Sequence, residues 1–221
     1  MDLSKQYVMT VPAPLVWNYL IAPKSGHTVT KPGKAPIVFK ARYEATILFA
    51  PDHPDWLPIR TLLQANLPAG AAEKFPVDDG TKIADEAFKK QKDREWARGK
   101  ILFNPHSNVK KQDGSALMPP RLVVLLNGKY VQYGTAEQPR ELATPYFYSG
   151  VLGIGTFMIE GYEGMGGGVT AYLNEVLSLN TGEHIAGGPD AEEKYGPAID
   201  FSKYTGHVSS IDPTAGLTGL V

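Results

Sequence analysis

Cysteine is absent from this chain of 221 residues. Without thiols, a disulfide framework, a thiolate metal site and a cysteine nucleophile are all excluded. The N-terminal residues show no apolar segment followed by a small-residue cleavage site, so we expect no secretory signal. The longest apolar runs, such as Leu122 to Leu126, are far too short to span a membrane. The sequence therefore predicts a protein of a reducing cytoplasm.

The sequence motifs of common active sites are also missing. The histidines at positions 27, 53, 106, 184 and 207 show no metal-ligand spacing. The glycine run 164–168 is not followed by the Lys-Ser/Thr pair of a phosphate loop, and Gly153-Ile154-Gly155 lacks the third glycine of a dinucleotide fingerprint. We therefore expect no metal, no cofactor and no catalytic activity.

Charge is balanced overall but uneven along the chain. Residues 31–140 contain 18 Lys and Arg against 12 Asp and Glu, a net charge of +6. Residues 141–221 contain 2 Lys and Arg against 10 Asp and Glu, a net charge of −8. Either this asymmetry is scatter, or the chain has a basic working surface and an acidic end.

A strict alternation over residues 37–49 predicts a half-buried antiparallel strand. Phe39, Ala41, Tyr43 and the following odd-numbered positions share one face, and Lys40 and Arg42 lie together on the exposed face. An earlier strand is expected around Val16 to Ile21.

Two helices and one hairpin are predicted from residue 56 onwards. The spacing of Ile59, Leu62, Leu63 and Leu67 is that of a helix with Pro58 near its start. A charged helix is predicted over residues 83–98, with Phe88 and Trp96 on one face; a solvated surface helix is the simplest interpretation. Asn127-Gly128 between strand-forming residues predicts a β-hairpin over residues 122–133.

The last third of the sequence is rich in glycine. Residues 146–163 are predicted to form one long strand, in which Gly150, Gly153 and Gly155 indicate bulges or close backbone approach. The periodicity of residues 169–179 fits a helix or a strand. From about residue 188 the periodicity disappears, which predicts a flexible tail. Many short strands, one curved glycine-rich strand and one or two inserted helices indicate a mainly β chain, and an OB-type barrel is the natural candidate.

Cations and aromatic residues recur on the predicted strands and their loops. Binding of single strands without sequence preference requires cations that follow the phosphates and flat rings on which bases stack. Three consecutive rings at Tyr146, Phe147 and Tyr148 cannot all enter the core of a half-buried strand. At least one of them should therefore be exposed or lie in a groove.

The order of these segments resembles the tailed-phage single-stranded DNA-binding proteins, a family similar to the T7-type proteins. The matching pieces are YEATILFAPDHPDW before a helix, LLNGKYV after PPR, YFYSG before a strand ending in GYE, and GGGVTAYLNEVLSLNTGE. They span roughly residues 8–190, and the YSG and GV…LN…V pieces are the most specific. The last twenty residues depart from the T7-type pattern, because they contain a single carboxylate and no terminal aromatic residue.

The resemblance implies a five-stranded OB-fold barrel with inserted helices, and it implies a strand at residues 169–179. We predict a single-stranded DNA-binding domain over residues 1–187 and a flexible C-terminal tail over residues 188–221. The implied function is DNA protection in phage replication or recombination, in the cytoplasm of an infected bacterium. Phage or host replication proteins are the implied partners of the tail, and no membrane contact is expected.

The predicted interface combines six cations and five rings. Tyr130 and Tyr148 are the preferred stacking residues, with Phe103 and Tyr133 as alternatives. The full set is Lys40, Arg42, Phe103, Lys110, Lys111, Arg121, Lys129, Tyr130, Tyr133, Tyr146 and Tyr148. Two other classes stay open at this point, a β-barrel structural protein of the virion or tail and a small enzyme with an unrecognised site.

Overall fold

The computed structural model describes residues 5–30, 36–71, 73–111, 113–163 and 166–185. Within them the strands are β1 Gln6–Val8, β2 Ala13–Val16, β3 His27–Val29, β4 Ile37–Phe39, β5 Arg42–Glu44, β6 Thr46–Phe49, β7 Val77–Asp79, β8 Ile101–Phe103, β9 His106–Asn108, β10 Arg121–Leu126, β11 Lys129–Tyr133, β12 Val151–Tyr162 and β13 Gly168–Ser178. The α-helices are α1 Trp56–Ala65 and α2 Gly80–Lys89, and short 3₁₀ helices span Glu95–Ala97 and Arg140–Tyr146.

Eleven of the strands form one sheet, and β3 and β4 form a separate antiparallel pair. The sheet is not closed, because Ala45 separates β5 from β6, and Asn104 and Pro105 separate β8 from β9. The backbone N–H of Ala45 nevertheless donates to the carbonyl of Pro105 across this gap, at 3.3 Å. Residues 42–49 and 101–108 therefore act as two bent chain segments that lie side by side.

Five chain segments follow one another around a ring when these bends are included. β2 pairs with β12 and with β6, β6 pairs with β8, and β5 pairs with β9. β9 then meets β13 in parallel through His106 and Tyr172, and β13 runs antiparallel to β12. The prediction of a mainly β, OB-type fold with inserted helices is confirmed, although the complete sheet has more strands than the five of the ring.

The core fills the inside of this ring with aromatic and aliphatic side chains. Phe103 lies edge-on to Phe157 at 5.1 Å between ring centroids, and Phe49 stacks on Phe103 at 6.2 Å. All three are fully buried, together with Leu15 and Ile47 from the adjacent strands. Burial of such a side chain stabilises the fold by about 1.5–3 kcal/mol. Packing of the core therefore stabilises the ring of strands in addition to the hydrogen bonds between the strands.

Three predicted elements are confirmed in place and type. The hairpin β10–β11 turns at Asn127 and Gly128, whose φ angles of 50° and 74° are those of a type I′ turn. Helix α1 buries Ile59 and Leu63, as its spacing predicts. Residues 168–178 form β13, the strand that the family resemblance implies.

Other boundaries differ from the predictions. The early strand is Ala13–Val16 and not Val16 to Ile21. The alternating segment 37–49 is divided among β4, β5 and β6, and all residues of β6 are buried because apolar clusters lie on both of its faces. Helix α2 ends at Lys89, so the prediction that Phe88 and Trp96 share a helix face is wrong.

The long glycine-rich strand begins later than predicted. β12 starts at Val151, and Tyr146 ends a 3₁₀ helix instead of opening a strand. The predicted tail over residues 188–221 lies outside the described residues. In the described part of the chain, no helix combines the length and the hydropathy that crossing a membrane requires.

Candidate nucleic-acid interface

A groove of about 590 Å³ opens beside the β3–β4 pair. One wall is formed by that pair and the chain that follows it, and the other by the loop after β9. We call it the cationic groove; its described lining residues are Gly26, His27, Thr28, Val38, Lys40, Ala41, Val109, Lys110, Lys111 and Gly114. The groove therefore brings together three predicted phosphate-binding residues that lie up to 71 positions apart in the sequence.

Backbone hydrogen bonds fix the two walls of the cationic groove. The N–H of Val109 donates to the carbonyl of Ala41 at 3.2 Å, which joins the loop to the β4–β5 connection. The N–H of Lys111 donates to the carbonyl of Ser115 at 2.8 Å and closes a tight turn. Asp113 lies inside this turn and accepts from the N–H and the hydroxyl of Ser115. These hydrogen bonds lower the pKa of the Asp113 carboxyl and so favour its charged form.

The electrostatic character of the cationic groove is positive. Lys40, Lys110 and Lys111 are exposed, and the described lining contains no acidic side chain. Ammonium groups on flexible stems act as mobile point charges, which suits contacts with phosphates whose spacing varies. The arrangement can hold a flexible polyanion without specifying one geometry.

Arg42 has a different role from the one predicted. Its guanidinium pairs with Glu44 at 2.6 Å, and Lys24 pairs with the same carboxylate at 2.8 Å. Burial alone would raise the pKa of Glu44, but the hydrogen bonds and charges of these two cations outweigh burial and lower it. Arg42 is half-buried within this cluster, so the expectation that it stands free on an exposed strand face is corrected.

Arg140 is a buried cation that sequence reasoning missed. Its Nε donates to the carbonyl of Leu20 at 2.6 Å, and its Nη1 donates to the carbonyl of Pro120 at 2.8 Å. The guanidinium also lies 4.8 Å from the ring centroid of Tyr43. Burial lowers the pKa of Arg140. The residue therefore ties together the segments that contain Leu20, Pro120 and Tyr43.

The hairpin β10–β11 carries the other predicted cations. Arg121 is exposed and pairs with Glu175 of β13 at 2.5 Å. Lys129 is exposed beside the turn, and the next residue, Tyr130, is 72% exposed. Lys129 and Tyr130 are consecutive in β11, so the exposed ammonium group and the exposed ring project from opposite faces of the hairpin.

Two of the predicted stacking residues lie in the core. Phe103 has no exposed surface, and Tyr133 is 6% exposed. Phe103 belongs to the aromatic contacts inside the ring, and burial is the main cause that raises the pKa of Tyr133. Neither ring can stack on a base in this fold, so both are removed from the predicted interface. Tyr146 is half-buried and packs against Tyr133 at 5.9 Å between ring centroids.

Tyr148 is partly occupied by contacts within the protein. His184 stacks on its ring at 4.2 Å and an interplanar angle of 20°. Its hydroxyl donates to the carbonyl of Gly182 at 3.2 Å. One face of the ring is therefore covered, and Tyr148 stays a predicted stacking residue through its remaining half-exposed surface.

The exposed rings outside the predicted set include Tyr19, Phe88 and Tyr162. Tyr19 is 41% exposed, with the ammonium of Lys24 5.3 Å from its ring centroid, and Phe88 is 81% exposed at the end of α2. The sequence does contain a signal for Phe88, because Lys89, Lys90, Lys92 and Arg94 follow it closely. The local sequence around Tyr19 does not predict that its ring is exposed, because this exposure depends on how residues 17–24 lie beside β5.

The described residues show no cluster of His, Asp and Glu side chains able to hold a metal ion. His106 is the first residue of β9, where the bent segment 101–108 meets β13, and burial, with a smaller contribution from the charge of Arg42, lowers its pKa to about 4. The imidazole is therefore neutral at physiological pH, and it packs 6.1 Å from the ring of Tyr172. It contributes packing at the point where the ring of strands meets.

Comparison with known proteins gives a clear result only for structure. The sequence matches no protein-family model and no curated protein. The single-stranded DNA-binding protein from bacteriophage Enc34 superposes with a TM-score of 0.56 at 16% identity, over 87% of this chain and 90% of that chain. The same protein in complex with ssDNA gives a TM-score of 0.54 at 16% identity, over 83% and 90%.

The gp2.5 single-stranded DNA-binding protein of bacteriophage T7 also aligns, over 89% of this chain and 96% of that chain, with a TM-score of 0.46 and 13% identity. The Enc34 superposition covers most of both chains. The chain therefore has the fold of the bacteriophage Enc34 single-stranded DNA-binding protein, and the resemblance seen in its sequence is confirmed at the level of structure.

Proposed function

We propose that this protein binds single-stranded DNA without sequence preference and catalyses no reaction. The observation that carries the proposal is the cationic groove, where Lys40, Lys110 and Lys111 converge with no acidic residue in the described lining. One of the Enc34 structures is a complex with ssDNA, which supports the same ligand class here.

The chemistry of binding follows from these side chains. The lysines contact phosphates and displace condensed counterions, which contributes affinity that does not depend on the bases. Exposed rings, with Tyr130 first and Tyr148 second, accept unstacked bases on their faces. Every base has a flat face, so this combination tolerates any sequence.

We further propose that binding protects single strands during phage DNA replication or recombination, in the cytoplasm of an infected bacterium. In this proposal residues 1–187 bind the DNA. Residues 188–221 form a tail that contacts phage or host replication proteins.

A double substitution in the groove tests the central claim. K110A/K111A removes two ammonium groups from an exposed turn, so the fold should persist while ssDNA binding weakens. Each phosphate contact on a single strand contributes about 0.7 to the slope of log K against log salt, so this variant should lower the slope by about 1.4. The matched control, R60A/K82A, removes two exposed cations from the helices and should bind as the wild type does.

The measurement is a fluorescence titration with oligo-dT at several salt concentrations, with circular dichroism to check folding. Retention of the wild type on ssDNA-cellulose at low salt, and its release by added salt, separates a DNA-binding protein from a virion component. A wild-type chain that washes through at low salt would overturn the proposal. Equal salt slopes for K110A/K111A and R60A/K82A would show that the groove is not the binding site.

A further inference from the structure

We infer that the C-terminal end of α2 forms a second contact for the same single strand, apart from the cationic groove. This inference rests on the proposed function. The contact consists of Phe88, Lys89, Lys90, Lys92 and Arg94, which we call the α2 patch. Four of these residues border an open groove of about 700 Å³ that also includes Gln91, Asp93 and Glu95. Lys90 lines a separate, smaller groove that shares Lys92 and Arg94 with it.

The backbone after α2 explains why these side chains project together. The N–H groups of Lys90 and Lys92 both donate to the carbonyl of Ala87 at 2.9 Å. Between them Gln91 adopts a φ of 56°, which reverses the chain direction. The helix end and the segment after it therefore lie close together, and the cations from both border one groove.

The composition of the α2 patch is unusual for a solvated helix end. The helix dipole favours one or two cations in the last turn, which accounts for Lys89. It does not account for Phe88, which is 81% exposed although Ala84 and Ala87 of the same helix are buried. An exposed phenyl ring among cations supplies the two groups that base stacking and phosphate contact require.

Arg94 connects the α2 patch to the rest of the proposed interface. Its guanidinium lies 4.6 Å from the ring centroid of Trp17, and Trp17 packs edge-on to Trp96 at 5.1 Å. Trp17 has a φ of 46°, a conformation that is strained for a bulky residue and that commonly marks a functional segment. The cation and the two indoles therefore hold the start of the segment 17–24 in a fixed position.

The segment 17–24 then leads from the α2 patch to the cationic groove. The N–H of Tyr19 donates to the carbonyl of Glu44 at 2.7 Å, and Lys24 pairs with Arg42 through two backbone hydrogen bonds. Thr46 pairs with Val16, the residue before Trp17. Arg42 lies four positions before Thr46 in the chain, which is a distance of at most about 13 Å. Within this distance lie the exposed ring of Tyr19 and the Lys24–Glu44 ion pair, so an aromatic ring is available to a base between the two sites.

A single strand that occupies both sites must be longer than one that fills the groove alone. OB folds bind between about 4 and 16 nucleotides depending on the mode of binding. The α2 patch should therefore contribute to binding near the upper end of this range and contribute little near the lower end. This dependence on length separates it from the cationic groove.

The test uses K89A/K92A in the full chain, with R60A/K82A as the control, since Lys82 lies at the opposite end of the same helix. Oligo-dT of about 16 and about 5 nucleotides bracket the range of OB-fold site sizes. With the long oligonucleotide, K89A/K92A should lower the salt slope by about 1.4 and reduce the affinity. With the short one, it should bind like the wild type, whereas K110A/K111A should weaken binding at both lengths.

A second variant, Phe88→Ala, should weaken binding of the long oligonucleotide without changing the salt slope, because a ring carries no charge. Unchanged affinity of K89A/K92A for the long oligonucleotide, with K110A/K111A impaired, would overturn this inference and leave the proposed function intact. Absence of binding by the wild-type chain at any length would overturn both. Circular dichroism and the melting temperature confirm that each variant is folded.

Discussion

Tyr130 lies beside the turn of the β10–β11 hairpin, opposite Leu125, with 72% of its surface exposed. Stacking of a base on such a ring contributes about 1–3 kcal/mol, so Tyr130→Ala should reduce ssDNA affinity by that amount. Tyr130→Phe should keep most of the affinity, because the ring stacks and the hydroxyl does not. The readout is a fluorescence titration with oligo-dT.

Gln132 provides the control for this prediction, since it is exposed two positions along the same strand and shares the face of Tyr130. Gln132→Ala should bind normally. If Tyr130→Ala also binds normally while K110A/K111A is impaired, the hairpin does not stack on bases.

Asp55 is a buried carboxylate that joins the N-terminal segment to the start of α1. It accepts hydrogen bonds from the hydroxyl of Tyr7 at 2.7 Å and from the backbone of Thr10 and Val11 at 2.9–3.1 Å. Burial alone would raise the pKa of Asp55, but these donors outweigh burial and hold it below the ordinary value. Burial and the adjacent carboxylate raise the pKa of Tyr7 well above its usual range.

The sign of the pH dependence follows from the lowered pKa. The charged form of Asp55 is favoured in the folded state, so its stabilisation is complete above the unfolded pKa of about 3.9. It is lost as the pH falls through the lower folded value. Asp55→Asn should reduce the free energy of unfolding at pH 7 by at least about 2 kcal/mol, since hydrogen bonds to a charged group contribute about 1.5–3 kcal/mol each.

Urea denaturation at pH 7 and at about pH 3 measures both effects. The difference between Asp55→Asn and the wild type should shrink at the lower pH. Asp113→Asn serves as the control, because the Asp113 carboxylate is exposed and its partners lie within one turn. A deficit of Asp55→Asn that is constant over this pH range would contradict the assigned role of the charge.

At the scale of elements, Gly150 sets the junction between the 3₁₀ helix and β12. Its φ is 98°, and a Cβ at this position would come within 1.8 Å of the carbonyl oxygen of Glu183. Gly150→Ala should therefore destabilise the fold by about 2–5 kcal/mol, the sum of overpacking and of left-handed strain. Gly99 has a φ of 70° and open space around it, so Gly99→Ala should cost only about 1–2 kcal/mol.

Chemical denaturation of the two alanine variants gives the comparison directly. Equal losses would mean that residues 181–185 can move away from β12 without cost. In that case the stacking of His184 on Tyr148 would not depend on this junction.

Secondary-structure elements that are determined by their own residues are predictable from the sequence. Asn127 and Gly128 specify a tight turn by their own φ preferences, and α1 has an apolar stripe at helical spacing. The assignment of residues 146–148 to a strand is wrong because their burial depends on distant partners. Tyr146 packs on Tyr133 and Phe147 enters the core, whereas Pro145 sits inside a 3₁₀ helix that no local periodicity reveals.

The candidate site is predictable in part for the same reason. The cations of the groove are predictable as exposed loop and strand residues, and their convergence follows from the pairing of β5 with β9. The strand alternation that selects Arg42 also places Glu44 on the same face, but it cannot show that Lys24, from a distant segment, pairs with that carboxylate as well. Phe103 cannot be separated from a surface ring by its local sequence, because its neighbours Phe49 and Phe157 lie some 50 residues away on either side.

At the scale of the whole molecule, the 18 Lys and Arg residues of 31–140 overstate the number of cations available to a ligand. Arg140 is buried in backbone contacts, and Arg42 pairs with Glu44. Arg98 pairs with Asp85 and Glu95. Among the described residues, the lysines of the cationic groove and of the hairpin are exposed cations at the proposed interface.

These exposed cations set the expected salt dependence of binding. If about four to six cations contact phosphates, the log–log slope of affinity against salt should be roughly −3 to −4, at about 0.7 per contact. Titrations with oligo-dT between about 50 and 200 mM salt measure it. An affinity that stays flat over this range would contradict a phosphate-contacting groove.

The ring of strands also has a consequence for the time course of synthesis. β2 lies near the N-terminus, but one of its two partners is β12, with Leu15 opposite Val151. A ribosome adds about 5–20 residues per second, so Leu15 waits roughly 7–27 s for that partner to be made. Throughout this interval the edge of β2 that faces β12 is unpaired, because β6 covers only the opposite edge, and an unpaired strand edge of this kind is a site where a nascent chain can aggregate.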